Sequence, residues 1–137
     1  MPQISKSTAA LRIIGESVQP DEITKQLGCN PTFSCRKGDT RHTKNKEIRS
    51  IYRQGMWRFD AKDESPENLD KQVYYIINRV SSDIEVWNML REQYNIDIIC
   101  TLSMESYNEG MELSPGSMLA LGKRGITLGL DIYSPYD

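Results

Sequence analysis

The sequence predicts an α+β domain, specifically a ferredoxin-like two-layer sandwich whose helices cover one face of a largely antiparallel sheet. Segments rich in β-branched residues alternate between apolar and polar positions near both ends of the chain, as strands with one buried face do. Helices that start with proline follow these segments. A length of 137 residues is that of one domain. We therefore assign residues 1–137 to a single domain, with residues 1–7 as a flexible N-terminal tail.

The first half of the chain is predicted to begin with a strand over residues 8–15, followed by a short helix. This helix starts at Pro20, where Asp21 and Glu22 suit the positive end of the helix dipole. It ends at Gly28, a residue that favours the left-handed conformation of a helix end. The remaining segments are an extended stretch at 32–36, a polar loop at 37–47, and a hairpin of residues 48–53 and 56–61 around Gln54-Gly55.

The second half contains the strongest helical periodicity. Ser65 is the predicted N-cap and Pro66 the first helical residue. Apolar side chains then recur at helical spacing, at Leu69, Val73, Ile76, Ile77 and Val80. The later elements are a helix carrying Ile84, Trp87 and Leu90, a strand over 96–104, a loop over 105–113, a helix from Ser114-Pro115 to Gly122, and a strand over 125–133. The predicted order is β-α-β-β-α-α-β-α-β.

Strand alternation separates two faces of the predicted sheet. The face expected under the helices carries Leu11, Ile13, Trp57, Phe59, Ile98, Cys100, Leu102, Ile126, Leu128, Leu130 and Ile132. The opposite, open face carries mixed side chains, among them Arg12, Arg58, Asp131 and Tyr133. This open face is either solvated, with an Arg–Asp pair across strands, or the place where a ligand or a second subunit docks.

Composition argues against several classes of protein. The chain has 17 Lys and Arg and 19 Asp and Glu residues, a net charge of −2, unlike a wholly basic nucleic-acid-binding protein. No apolar run approaches the ~18 residues of a membrane span, so we expect no membrane partner. The N-terminal residues lack the apolar core of a signal peptide. Three cysteines, an odd number, predict free thiols and a cytoplasmic location.

Several short motifs resemble the bacterial family of domains of unknown function DUF4279. They are Leu11-Arg12-Ile13, Pro20-Asp21-Glu22-Ile23-Thr24, Leu27-Gly28, Pro31-Thr32, Gly55-x-Trp57 and Asp131-Ile132-Tyr133. Together they span nearly the whole chain. The resemblance implies a small bacterial α+β domain. It implies no chemistry, because the family has no established activity or catalytic residues.

The residues with reactive side chains do not form a catalytic or metal-binding pattern. His42, the only histidine, lies between basic and polar residues of the predicted loop, so any Ser–His or Cys–His pair depends on it alone. Cys29 and Cys35 lack the second Cys or His pair of a zinc site. Cys100 falls on the buried phase of a strand. We therefore predict no catalytic residue, no metal and no cofactor, and we favour a protein that is not an enzyme.

Charge is concentrated in residues 36–53, which we call the basic segment. It holds seven Lys and Arg residues against two acidic ones, a net charge of +5, so the rest of the chain carries −7. Such a segment is either a solvated loop that protects a sheet edge or a site for an acidic partner. The candidate partner-binding residues are Arg36, Arg41, His42, Arg49, Arg53 and Trp57.

These features favour a cytoplasmic protein-interaction domain with an acidic protein partner, in a specific version an immunity-type or antitoxin-like protein. One alternative is a nucleic-acid or phosphate-ligand binder that uses the basic segment. Another is a small-molecule site on the open face. A homodimer formed through that face is a further expectation.

Overall fold

Seven strands and four helices make up the described part of the chain, which is residues 2–42 and 49–135 of a computed structural model. The strands are β1 (Lys6–Gly15), β2 (Phe33–Cys35), β3 (Thr40–His42), β4 (Arg49–Ile51), β5 (Gly55–Asp60), β6 (Asn95–Ser103) and β7 (Thr127–Tyr133). The helices are α1 (Pro20–Leu27), α2 (Leu69–Arg79), α3 (Ile84–Gln93) and α4 (Pro115–Arg124). The predicted α+β class is confirmed.

Five strands form one sheet in the order β2-β5-β1-β6-β7. The central strand β1 is antiparallel to both of its neighbours, and β5 is antiparallel to β2. Only β6 and β7 are parallel, joined by the crossover helix α4. The largely antiparallel character of the sheet is therefore confirmed.

The hydrophobic core lies between this sheet and the helices. The strands contribute side chains of one phase, which are Leu11, Ile13, Trp57, Phe59, Ile98 and Cys100. The helices contribute Ile23, Leu27, Val73, Ile76, Trp87, Leu90 and Leu121 to the same core. Side chains of the opposite phase, such as Arg12, Arg58 and Asp97, are only partly buried. Because all four helices pack into this one core, the opposite face of the sheet has no helical layer among the described residues, and we call it the open sheet face.

The last strand departs from the predicted burial. Leu130 and Ile132 were expected under the helices, yet their side chains are 48% and 54% exposed. Their register partners on β6, Cys100 and Leu102, are buried. Strand β7 is an edge of the sheet, and the core reaches its first half only, where Leu128 packs against it. Alternation predicted the correct phase, but burial also depends on how far the helical layer extends.

The predicted hairpin around Gln54-Gly55 is wrong. Strand β4 pairs with β3 in a separate two-stranded sheet, whereas β5 pairs with β1 and β2. Gly55 instead permits a close approach, because a Cβ atom there would lie 2.7 Å from the Cβ of Val18. The predicted loop at 37–47 contains β3, and its residues beyond His42 lie outside the described part.

Helix α2 begins three residues later than predicted. Its N-cap is Asn68, whose side chain accepts a hydrogen bond from the backbone N–H of Lys71 at 3.1 Å. Ser65, the predicted N-cap, instead donates its hydroxyl to the carbonyl of Ser5 at 3.0 Å, and the Ser65–Pro66 peptide is cis. The predicted start is wrong because this segment pairs with the N-terminal residues rather than continuing the helix.

Residues 2–7, predicted as a tail, are packed against the domain. Ile4 and Ser7 are buried, and β1 already begins at Lys6. The hydroxyl of Ser7 donates to the side-chain oxygen of Gln72 at 2.6 Å. The Gln72 amide donates in return to the carbonyl of Ser7 at 3.0 Å and to that of Lys62 at 2.8 Å. This buried network ties β1 to α2 with its polar groups satisfied.

Helix α4 begins at Ser114-Pro115 as predicted, although it continues past Gly122 to Arg124. The Ser114 hydroxyl accepts a hydrogen bond from the backbone N–H of Ser117 at 3.2 Å. The backbone N–H and the hydroxyl of Ser114 both lie 2.9 Å from Asp70 Oδ1 on α2. These hydrogen bonds favour the charged carboxylate and hold the pKa of Asp70 below its ordinary value.

We predict that Asp70 makes stability depend on pH. Because its native pKa lies below the ordinary value of 3.8, the ionised form stabilises the fold at neutral pH, and this contribution is lost as pH falls through the native pKa. In Asp70→Asn, the loss of unfolding free energy relative to wild type should therefore be larger at pH 7 than at pH 3. Urea titrations at both values measure it. The exposed Asp63→Asn variant is the control, and equal losses at both pH values would contradict the prediction.

Trp57 provides a test of the core. Its ring is fully buried and its indole N–H donates to the hydroxyl of Thr24 at 3.0 Å. Trp57→Ala should reduce the free energy of unfolding by about 3–5 kcal/mol, because it leaves a cavity. Tyr74→Ala, at an exposed position of α2, should change it by no more than about 0.5 kcal/mol. Similar midpoints for the two variants in urea unfolding would contradict this assignment.

Candidate functional site

The centre of the open sheet face is an ion pair between neighbouring strands. Arg12 on β1 and Asp97 on β6 are register partners. The Arg12 Nε lies 2.9 Å from Asp97 Oδ1, and its Nη2 lies 2.6 Å from Oδ2, so one edge of the guanidinium binds both carboxylate oxygens. The side chains are 26% and 27% exposed. Hydrogen bonding to Asp97 raises the pKa of Arg12 above its ordinary value and keeps the guanidinium charged.

A second arginine lies beside the first. Arg58 on β5 is the register partner of Arg12 on its other side. Its Nη2 lies 3.0 Å from Asp60 Oδ1, two residues further along the same face. Asp60 is held in turn by Thr32. The Thr32 hydroxyl donates a hydrogen bond to the Asp60 carboxylate and accepts one from the backbone N–H of Asp60. Each of the two arginines is therefore fixed by a carboxylate of the same face.

Aromatic residues connect these arginines to the β3–β4 hairpin. Phe33 on β2 is the register partner of Arg58. Its ring centroid lies 6.1 Å from that of Tyr52, which directly follows β4. The guanidinium of Arg41 on β3 stands 6.0 Å from the Tyr52 ring centroid. No carboxylate of the described residues forms an ion pair with Arg41.

These contacts join the hairpin to the sheet in one continuous surface. Pairing places Phe33, Arg58 and Arg12 side by side across β2, β5 and β1. We call this surface the arginine–aromatic strip. Its members are Arg12, Phe33, Arg41, Tyr52 and Arg58. The strip combines residues of the two groups that the sequence suggested separately.

The other predicted partner-binding residues are distributed differently. The Nη2 of Arg36 lies 3.9 Å from Oδ2 of Asp21 on α1, and Arg53 is exposed. The backbones of His42 and Arg49 pair across the hairpin, and their side chains lie outside the described part. Trp57 belongs to the core and not to the surface, which corrects its assignment as a partner-binding residue. The sequence contained this signal, because Trp57 also falls on the buried phase of its strand.

Asp131 and Tyr133 lie away from the arginines. Both are on β7, where their register partners are Thr101 and Ser103 of β6. The partner of Arg12 is Asp97, a residue that the sequence analysis did not select. Alternation alone places Asp97 on the open face, but only strand register identifies its partner.

The described residues provide little for covalent or metal chemistry. Burial raises the pKa of the Cys100 thiol to about 12 and also raises that of Cys35, which favours the unreactive thiol form. No group of three or more His, Cys, Asp or Glu side chains within residues 2–42 and 49–135 has the arrangement of a metal site.

An open cavity of about 360 Å³ lies at the start of β6. Arg91, Tyr94 and Asp97 form part of its lining, and none of the four predicted open-face residues lines it.

The model of the family described as a domain of unknown function (DUF4279) matches residues 5–135. The chain belongs to the DUF4279 family. The resemblance of its short motifs to that family is therefore confirmed. A search of curated proteins and a search of solved structures each gave no match for this DUF4279 domain. Within the described residues of the domain, no helix is long and apolar enough to cross a membrane.

The Arg12–Asp97 pair should show measurable coupling in a double-mutant cycle. Because both side chains are about three-quarters buried, we expect Arg12→Gln and Asp97→Asn to couple by about 1 kcal/mol in unfolding free energy, less at high salt. The same cycle on Lys6 and Asp63, which lie 3.6 Å apart with both side chains about half exposed, is the control and should give nearly zero. Equal coupling energies for the two pairs would contradict the stronger interaction that we expect between Arg12 and Asp97.

Proposed function

We propose that this DUF4279 domain binds an acidic protein partner through the arginine–aromatic strip. The observation that carries the proposal is the continuity of the strip, which runs from the β3–β4 hairpin to the central strand on a face without a helical layer. Arginine and aromatic residues are enriched at the centres of protein interfaces, where they supply most of the binding energy.

The geometry of the strip reduces the loss of side-chain conformational entropy on binding. Arg12 and Arg58 are already held by Asp97 and Asp60, so little side-chain freedom remains to be lost on association. Arg41 rests against the Tyr52 ring and has no carboxylate partner among the described residues. Its charge is therefore available to a partner at the hairpin end of the strip.

The charge distribution supports an acidic partner. The basic segment carries a net +5 against −7 for the rest of the chain. A partner with a complementary acidic surface is steered to the hairpin and repelled by the remaining surface. This arrangement fixes the orientation of approach as well as its rate.

The carboxylates beside the strip favour a protein partner over nucleic acid. Phosphate backbones are bound by cations whose charge is not already neutralised. Here Asp97 lies beside Arg12 and Asp60 beside Arg58, and they offset two of the three arginine charges. Binding of nucleic acid or of a phosphate ligand by the basic segment remains the alternative that the experiment separates.

An immunity-type or antitoxin-like role is the narrower version of this proposal. In that case the acidic partner is a toxin, and the three free cysteines suit a location in the cytoplasm. Co-expression of the domain with its captured partner should then protect cells from that partner.

We also propose that the scaffold is a ferredoxin-like sandwich with one added strand. The order β2-β5-β1-β6, with antiparallel neighbours and α1 connecting β1 to β2, supports this relationship. In this view the hairpin β3–β4 is an insertion between β2 and β5, and β7 extends the sheet at one edge.

Charge reversal at the strip tests the proposed function. A tagged domain is used to capture its partner from host lysate, with and without nuclease, and affinity is then measured by calorimetry with the purified partner. Arg41→Glu should weaken binding by tenfold or more, about 1.4 kcal/mol. Arg58→Glu should do the same.

Arg79→Glu is the matched control. Arg79 also lies over a tyrosine ring, that of Tyr75, 4.4 Å from its centroid, but on α2 and therefore on the helical side. This variant should bind as wild type does. Equal losses in Arg41→Glu and Arg79→Glu would contradict the strip as the binding surface, and capture only of nuclease-sensitive material would support the nucleic-acid alternative.

A further inference from the structure

Strand β7 leaves one edge of the sheet unpaired. It is seven residues long and pairs only with β6, so no described strand lies along its outer edge. Natural proteins protect such edges with proline, lysine, bulges or short strands. The opposite edge strand, β2, has only three residues. Strand β7 contains no proline and no lysine, and Asp131 is its only charged residue.

The outward backbone groups of β7 can be assigned from one hydrogen bond. The backbone carbonyl of Tyr133 accepts a hydrogen bond from the backbone N–H of Met104, so the backbone N–H and C=O of Tyr133 point toward β6. Along a strand, consecutive residues direct these groups to opposite sides. The N–H and C=O groups of Leu128, Leu130 and Ile132 therefore point away from the sheet, toward a further strand.

The same residues carry apolar side chains on the helical side of the sheet. Leu130 and Ile132 are about half exposed. An edge that combines open hydrogen-bonding groups with exposed apolar side chains is a template for pairing with another strand.

We propose that β7 pairs antiparallel with β7 of a second copy of the chain, joining two sheets into one. The twofold axis passes between the Leu130 residues of the two copies. Leu130 then forms a hydrogen-bonded pair with its counterpart, and Leu128 faces Ile132 of the second copy. Every outward N–H and C=O of the three residues gains a partner in this register.

The single charge on β7 favours this register over the adjacent one and is compatible with a second copy of the strand as the occupant. With the axis at Leu130, Asp131 faces Gly129 of the second copy, and all seven residues of β7 are paired. With the axis at Asp131, two carboxylates would face each other directly, which is destabilising. The strand is thus complementary to itself in its full-length register. The surface lies at the other end of the sheet from the arginine–aromatic strip, and the inference is independent of the proposed function.

Sedimentation equilibrium over a wide concentration range tests the proposal. The mass of the wild-type protein should rise toward twice the 15.7 kDa of one chain. Leu130→Lys and Leu130→Glu each place like charges opposite each other at the axis and should stay monomeric. An equimolar mixture of the two should restore the dimer, because opposite charges then meet. Circular dichroism checks that both variants are folded, which we expect because Leu130 is about half exposed.

Several outcomes would overturn the pairing. A wild-type protein that remains monomeric at all concentrations would overturn it. The same holds if the β7 edge captures an extended segment of another protein instead of a second copy. A dimer that persists in Leu130→Lys but is lost in Arg58→Glu would assign association to the open sheet face. A mixture of the two charged variants that stays monomeric would exclude Leu130 as the axis.

Discussion

The pairing of β1 along both of its edges is the constraint on which the rest of the structure depends. Its register with β5 and β6 places Leu11 and Ile13 in the core, where both are fully buried. The same register sets Arg12 between Arg58 and Asp97 on the other face. A shift by one residue would exchange the two faces and bury the arginine. The fold and the candidate site are therefore consequences of one alignment of strands.

Electrostatic balance within the sheet explains the composition of the strip. Arg12 and Arg58 are directly opposite each other, an arrangement that is unfavourable for like charges. Asp97 offsets the first and Asp60 the second. The sheet end of the strip is thus rigid and nearly neutral, whereas Arg41 at the hairpin end has no such carboxylate among the described residues. In the proposed interaction, Arg41 attracts the partner by its charge, whereas Arg12 and Arg58 provide the surface that the partner fits.

Local signals predicted much of the fold, and non-local pairing accounts for what they missed. The Ser114 cap was predicted because the hydrogen bond of a cap joins residues only three positions apart, here Ser114 and Ser117. The similar signal at Ser65 failed because that segment pairs with residues some sixty positions earlier. For the site, sequence identified the arginines but not Phe33 or Asp97 beside them. Those neighbours are defined by register, which a single sequence does not reveal.

The two associations that we propose use different ends of the sheet. The strip occupies β2, β5 and β1, whereas the unpaired edge belongs to β7, beyond β6. In a pair joined through β7, the two strips lie at opposite ends of one continuous sheet, so a partner on one strip does not block the other. Such a pair gains affinity only for a partner whose own binding surfaces are spaced to reach both strips, because avidity requires simultaneous engagement. A monomeric partner would bind each strip with its intrinsic affinity, and self-association would then change stoichiometry but not strength.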